Sequence, residues 1–129
     1  MSDLTLDSSA LLAAIGRELG ALEVADLMRR RSCAMSTVNV TEVVTKLIDR
    51  GMSLPDIWAD LRNTAIAIYP FDEADAEEAA RLRTSTRAAG LSLGDRACIA
   101  LAARLGTPVV TADQAWTAVS LPVEVILIR

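Results

Sequence analysis

Five short apolar runs punctuate this chain, and each of the first four is followed by a helix-forming or turn-forming segment. LTLD at 4–7, CAMST at 33–37, AIAIYPF at 65–71, PVVTAD at 108–113 and VEVILIR at 123–129 read as strands. Several are apolar throughout rather than alternating, the pattern of strands covered on both faces. Helical periodicity occupies the intervals. The spacing predicts helices from Ser8 to about Glu18, from about Ala21 to Arg31, and from Asn39 to about Arg50 with Gly51 closing it. Ser53-Leu54-Pro55-Asp56 opens another, proline being tolerated in a first turn. A long acidic-then-basic helix is expected over Asp72–Ala89, and an alanine-rich one over Asp95–Arg104. Strand and helix alternating from end to end define an α/β class: a three-layer α/β/α arrangement around a central, mostly parallel sheet. With 129 residues and 52% hydrophobic content, one domain spanning 1–129 with a real core is expected.

The functional exclusions begin with histidine, of which there is none. Ser-His-Asp and Cys-His catalysis, histidine-zinc sites and the histidine acid–base pair of metal-independent ribonucleases are therefore ruled out. Cys33 and Cys98 lack CxxC spacing and read as small buried apolar residues of a reducing compartment. A net charge of −4 argues against gripping nucleic acid by bulk charge. Yet Lys46 is the single lysine among 13 basic residues, and arginine suits bidentate phosphate contacts. No run is long and apolar enough for a membrane span, and the acidic start MSDLTLD lacks the basic region of a secretory signal. The expected location is cytoplasmic. No GxxxxGK[ST] or GxGxxG is present, so nucleotide cradling lacks support.

In parallel α/β folds, ligands bind at the carboxyl ends of strands, which directs attention to the acids there. Asp7 ends the first strand, Asp113 ends PVVTAD, Asp95 follows Ser92-Leu93-Gly94 at a helix start, and Glu42 lies in the helix after the second strand. Each has an ordinary alternative. Asp7 and Asp95 could be N-caps, Asp113 a turn aspartate, and Glu42 an i,i+4 partner of Lys46 on a solvated face. Gathered together, however, such carboxylates would repel one another, and some would have raised pKa values. Mg²⁺ or Mn²⁺, hard cations that take oxygen ligands, would resolve that conflict. Thr111, two residues before Asp113 on a strand, is expected to face the same side.

The segments LDSSALLAAI, VNVTEVVTKL, LSLGDRACIALAARLG and PVVTADQAW carry a resemblance that covers nearly the whole chain. In order and in spacing (35, 53 and 18 residues between the acids) the sequence resembles PIN-domain ribonucleases of the VapC-like toxin kind from toxin–antitoxin pairs. That resemblance implies that Asp7, Glu42, Asp95 and Asp113 are the metal-binding and catalytic acids. It marks Ser8 or Ser9, Asn39 and Thr111 as supporting polar residues. Relatives often carry another acid or asparagine after the fourth acid; Gln114-Ala115-Trp116 offers none, so a second metal site lacks that ligand.

The implied activity is endoribonuclease cleavage of RNA by water, leaving a 5′-phosphate, with Asp95 or Asp113 nominated to orient that water or accept its proton. Arg96, next to Asp95, is expected to meet the substrate, with Arg17, Arg81, Arg83 and Arg87 as weaker candidates. Partners implied are RNA, a cognate antitoxin and a second copy in a homodimer. Met52, Trp58 and Leu61 form an apolar stretch that suits either core or such an interface. Two other classes were weighed. A housekeeping RNA-processing nuclease would carry the same acids. A non-catalytic receiver-like module would need an acidic pair at the first strand end and a late lysine, and neither is present.

Overall fold

The computed structural model describes all 129 residues. Five strands, β1 (Leu4–Leu6), β2 (Cys33–Ser36), β3 (Ala67–Tyr69), β4 (Val109–Thr111) and β5 (Val125–Leu127), form one sheet in the order β3-β2-β1-β4-β5. Every neighbouring pair is parallel. Seven helices connect them: α1 (Ser8–Gly16), α2 (Ala21–Arg30), α3 (Thr37–Asp49), α4 (Leu54–Asn63), α5 (Glu73–Arg81), α6 (Arg83–Thr86) and α7 (Leu93–Leu105). A 3₁₀ turn follows β4 at Gln114–Ala118.

Side chains alternate across the pleat and divide the core in two. Leu4, Leu6, Cys33, Met35 and Val110 point to one face, where Ala10, Leu11, Val24, Val43, Leu47, Ile57 and Leu61 of α1–α4 cover them. Val109 points to the other, against Leu82, Leu91, Cys98, Ile99, Ala102 and Trp116. These two apolar layers make the three-layer α/β/α architecture expected from the sequence.

Boundaries differ where local chemistry decides them. Strand β2 stops at Ser36, whose side chain accepts from the Val38 amide at 3.2 Å, so α3 begins at Thr37 and Asn39 already lies in its first turn. Helix α7 begins at Leu93, two residues before the expected start, because Ser92 and Asp95 form a reciprocal capping box. The single helix expected over 72–89 is interrupted at Leu82, whose carbonyl accepts the hydroxyls of Ser85 and Thr86. It ends at Thr86, since Gly90 turns left-handed (φ +71°) and the Leu91 amide reaches back to the Thr86 carbonyl. Strand β3 is an edge rather than a covered strand, with Ala67 and Ile68 exposed. Leu61 is buried beneath α4, while Trp58 is half-buried and lines a surface cleft with Arg62, Ile66 and Ile68.

One ion pair ties α5 to α7. Asp75 is only 2% exposed, and Arg104 grips it through Nε at 2.9 Å and Nη2 at 3.0 Å. The same guanidinium lies over the Tyr69 ring, 5.9 Å from its centre. Arg104→Ala would leave a buried carboxylate without its partner. Chemical unfolding should show a loss of about 2–3 kcal/mol, below the fully buried case because the arginine remains partly solvated.

Candidate functional site

Strand β1 sends its chain toward β2 on one side, whereas β4 lies on the other, so the sheet changes direction between β1 and β4. A crevice opens at the carboxyl ends of strands at such a point. Asp7 follows β1 directly and is 3% exposed. Its backbone amide donates to the Val110 carbonyl at 3.1 Å, which fixes it beside β4. Its side chain is also the N-cap of α1, accepting from the Ala10 amide at 2.8 Å. The capping role and the site position thus coincide.

Three hydroxyl and amide groups close around this carboxylate. Ser9 donates to both oxygens at 2.7 and 2.9 Å, and Thr111 donates to Oδ2 at 2.5 Å. Thr111 faces the site as its strand position predicts, and also accepts from the Asp113 amide at 3.1 Å. Ser9 in turn accepts from the Ala112 amide at 2.9 Å. Burial pushes the Asp7 carboxyl up to about 6, against the lowering effect of these hydrogen bonds, and the charge of Asp95 adds to the rise.

Glu42 joins from α3. It does not pair with Lys46. Its Oε1 accepts from Ser8 Oγ at 3.1 Å and from Asn39 Nδ2 at 3.0 Å. Asn39 Nδ2 also donates to the Gly94 carbonyl at 2.9 Å, bridging α3 to the first turn of α7. Both contacts are to acceptors, so the amide orientation is settled, and Asn39 Oδ1 is left buried with no partner.

Asp95 occupies the third position of α7, where its Oδ2 accepts from the Ser92 amide at 2.8 Å. Burial raises its pKa first; the Ser92 hydrogen bonds lower it, and the charges of Asp113 and Glu42 raise it again. Asp113 is exposed, and its Oδ1 accepts from the Ala115 amide at 2.9 Å at the start of the 3₁₀ turn. Asp95 therefore senses Glu42 and Asp113, and Asp7 senses Asp95. Four acids from four elements share one field, and no arginine or lysine forms an ion pair with any of them.

The donor set is oxygen throughout. Glu42 Oε2, Asp95 Oδ1 and Asp113 Oδ2 accept no hydrogen bond from the protein. Carboxylates, an orphaned amide oxygen and hydroxyls, with neither imidazole nor thiolate, fit a hard divalent cation such as Mg²⁺ or Mn²⁺. No three acidic side chains are drawn tightly enough to form a ready-made cage. Binding an ion would draw them inward.

Arg96 departs from its expected role at the substrate. Its Nη1 donates to the Ala79 carbonyl at 2.8 Å, and its Nε is buried without a partner, so the side chain is committed to α5. Two contributors escaped sequence reasoning. Trp116 is fully buried and anchors the turn that presents Asp113; its position three residues after that acid was the available signal. Gly94 precedes Asp95 at the helix start, yet its backbone is not left-handed. The room it gives is to Glu42, whose Oε1 would lie 2.4 Å from a Cβ at that position.

The chain belongs to the PIN-domain family, which its residues 4–121 match. Its fold is that of several solved toxin structures. VapBC2 from Rickettsia felis bound to a promoter DNA fragment aligns at TM-score 0.72 and 14% identity, covering 96% of this chain and 97% of that one. VapC20 of Mycobacterium tuberculosis, described as a sarcin–ricin loop cleaving toxin, aligns at TM-score 0.71 and 15% identity over 90% and 94%. VapBC-5 of the same organism aligns at 0.59 with 24% identity over 98% and 99%. No curated protein matches the sequence significantly. No helix is long and apolar enough to cross a membrane.

Folded Asp7 keeps its proton up to about pH 6, whereas an ordinary aspartate loses it near 3.8. The folded state then binds more protons across that interval, so metal-free stability falls as pH rises through it and levels off above. Asp7→Asn removes that slope. Urea unfolding in EDTA should find the variant more stable than wild type at pH 7 by about 1–2 kcal/mol, after lost hydrogen bonds are set against relieved charge burial. The advantage should vanish near pH 4.

Proposed function

We propose that this protein is a metal-dependent endoribonuclease acting as the toxin of a toxin–antitoxin pair. The supporting observation is the convergence of Asp7, Glu42, Asp95 and Asp113 at the β1/β4 crevice without any neutralising basic group. Glu42, Asp95 and Asp113 would hold Mg²⁺ or Mn²⁺ through the oxygens that face no protein donor, and Asp7, whose two oxygens both accept hydrogen bonds, would contribute a remaining lone pair. The ion would supply Lewis acidity toward a phosphodiester and make water acidic enough to attack at neutral pH.

The chain's own residues do the rest. Ser9 and Thr111 orient Asp7, and Ser8 and Asn39 do the same for Glu42, which limits how far either carboxylate must move to take up its role. Asp95 Oδ2 is occupied by the Ser92 amide, which leaves Oδ1 to orient the attacking water or take its proton. With no histidine in the chain, a carboxylate is the available base. Attack by water requires no 2′-hydroxyl and releases a 5′-phosphate and a 3′-hydroxyl.

Arg83 and Arg87, exposed and free of ion pairs on the segment leading into α7, suit contacts to RNA phosphates better than Arg96. A cognate antitoxin and a second copy of this chain are the proposed protein partners, in keeping with the toxin–antitoxin complexes that share the fold. The half-buried Trp58 beside exposed Ile68 suits such a contact. An antitoxin carrying a basic residue into the acidic crevice would oppose cation binding.

Total RNA incubated with Mn²⁺ should be cleaved to fragments with 5′-phosphate ends, and EDTA should stop the reaction. Asp7→Asn and Asp95→Asn should each lower the rate roughly 100-fold or more, the scale of losing one preorganised electrostatic contact. Full activity in both variants, or cyclic phosphate ends, would contradict the assignment.

A further inference from the structure

Gly94 stands at the second position of α7, inside a helix, with no left-handed backbone to require it. Alanine is the better residue there for helix formation, so the glycine costs stability that the helix itself does not need to give up. The space above its Cα is filled by Glu42. A Cβ would meet Glu42 Oε1 at 2.4 Å, Oε2 at 2.5 Å and Cδ at 2.6 Å, all far inside van der Waals contact. The backbone of the same residue is bound as well, since its carbonyl accepts from Asn39 Nδ2 at 2.9 Å, and that amide also donates to Glu42.

We propose that Gly94 is a positioning residue whose missing side chain seats the Glu42 carboxylate on the first turn of α7, against Asp95. The inference rests on the metal-dependent reading of the site and adds what determines the spacing between two of its acids. The obstructed group is the end of a flexible side chain, not backbone. A methyl group at position 94 would therefore displace Glu42 and leave the fold in place. Glu42 would lose its bonds to Ser8 and Asn39, and its charge would move relative to Asp95. A glycine kept for helix geometry alone would have no such effect on Glu42.

The test is Gly94→Ala in the full chain, with three measurements. Thermal unfolding should give a midpoint equal to or above wild type. The Asn39 side-chain amide signals in the nuclear magnetic resonance spectrum of the metal-free protein should move, because their acceptor has gone. Calorimetric titration with Mn²⁺ should show affinity lower by about 10–100-fold, the range for losing support of a metal ligand. Glu42→Asp, one methylene shorter, should recover part of that loss when combined with Gly94→Ala.

Unchanged Asn39 signals, unchanged Mn²⁺ affinity, or a double variant no better than Gly94→Ala would each overturn the proposal. Should Gly94→Ala fold poorly, Glu42→Ala in the same chain must restore folding; continued unfolding would also overturn it. Wild-type protein that takes up no Mn²⁺ would instead sink the nuclease reading, and the Asn39 signals would then decide the Gly94 question alone.

Discussion

Parallel pairing of β1 with both β2 and β4 places the ends of neighbouring strands on the same side of the sheet, while the connections from those ends depart in different directions. Residues that have just left a strand there line the opening between the diverging connections. Asp7 and Asp113 occupy such positions, and α3 and α7, each starting from the same rim, deliver Glu42 and Asp95 into the gap. The site follows from strand order. Its residues lie far apart in sequence because each comes from a different connection.

The same geometry creates an electrostatic burden. The charges of Asp7, Glu42, Asp95 and Asp113 reach one another, and the donors around them are neutral: Ser8, Ser9, Asn39, Thr111 and backbone amides. Neutral donors orient a carboxylate without cancelling its charge. A structural cluster would have recruited arginine, as Asp75 does with Arg104 on the far side of α5. One buried acid, Asp75, is thus matched by a cation, while another, Asp7, is met by neutral donors alone, which is the contrast that supports the proposed cation site.

Much of this was legible in the chain. Apolar runs ending in aspartate gave the strands and their polar ends, because side-chain direction alternates in a strand and both faces here are covered. Thr111 was placed correctly for the same reason. Glu42 was harder: helical spacing made Lys46 an equally good partner, and only tertiary packing turned it toward Ser8 and Asn39. Arg96 bonds to Ala79 instead of facing Asp95, since proximity in sequence says nothing of direction on a helix, where adjacent residues point about 100° apart. The break at Leu82 leaves no periodic trace, since the Leu82 amide still reaches Glu78 and its carbonyl still accepts from Thr86. Gly94 was visible only as a glycine at a helix start, because its importance lies in what comes close to it from a different helix.

Cys98 lies wholly buried on α7 beneath these acids, and burial together with the charges of Asp7, Asp95 and Glu42 drives its thiol well above the ordinary range. Cys33, at the start of β2, is raised as well, by burial and by Asp3. Both thiols are buried and held toward the protonated form, so thiol-directed reagents meet a poor nucleophile at either sulfur in the folded molecule. A reporter dye coupled through an introduced surface cysteine would therefore attach at that one place without first removing the native pair, both of whose sulfurs are buried.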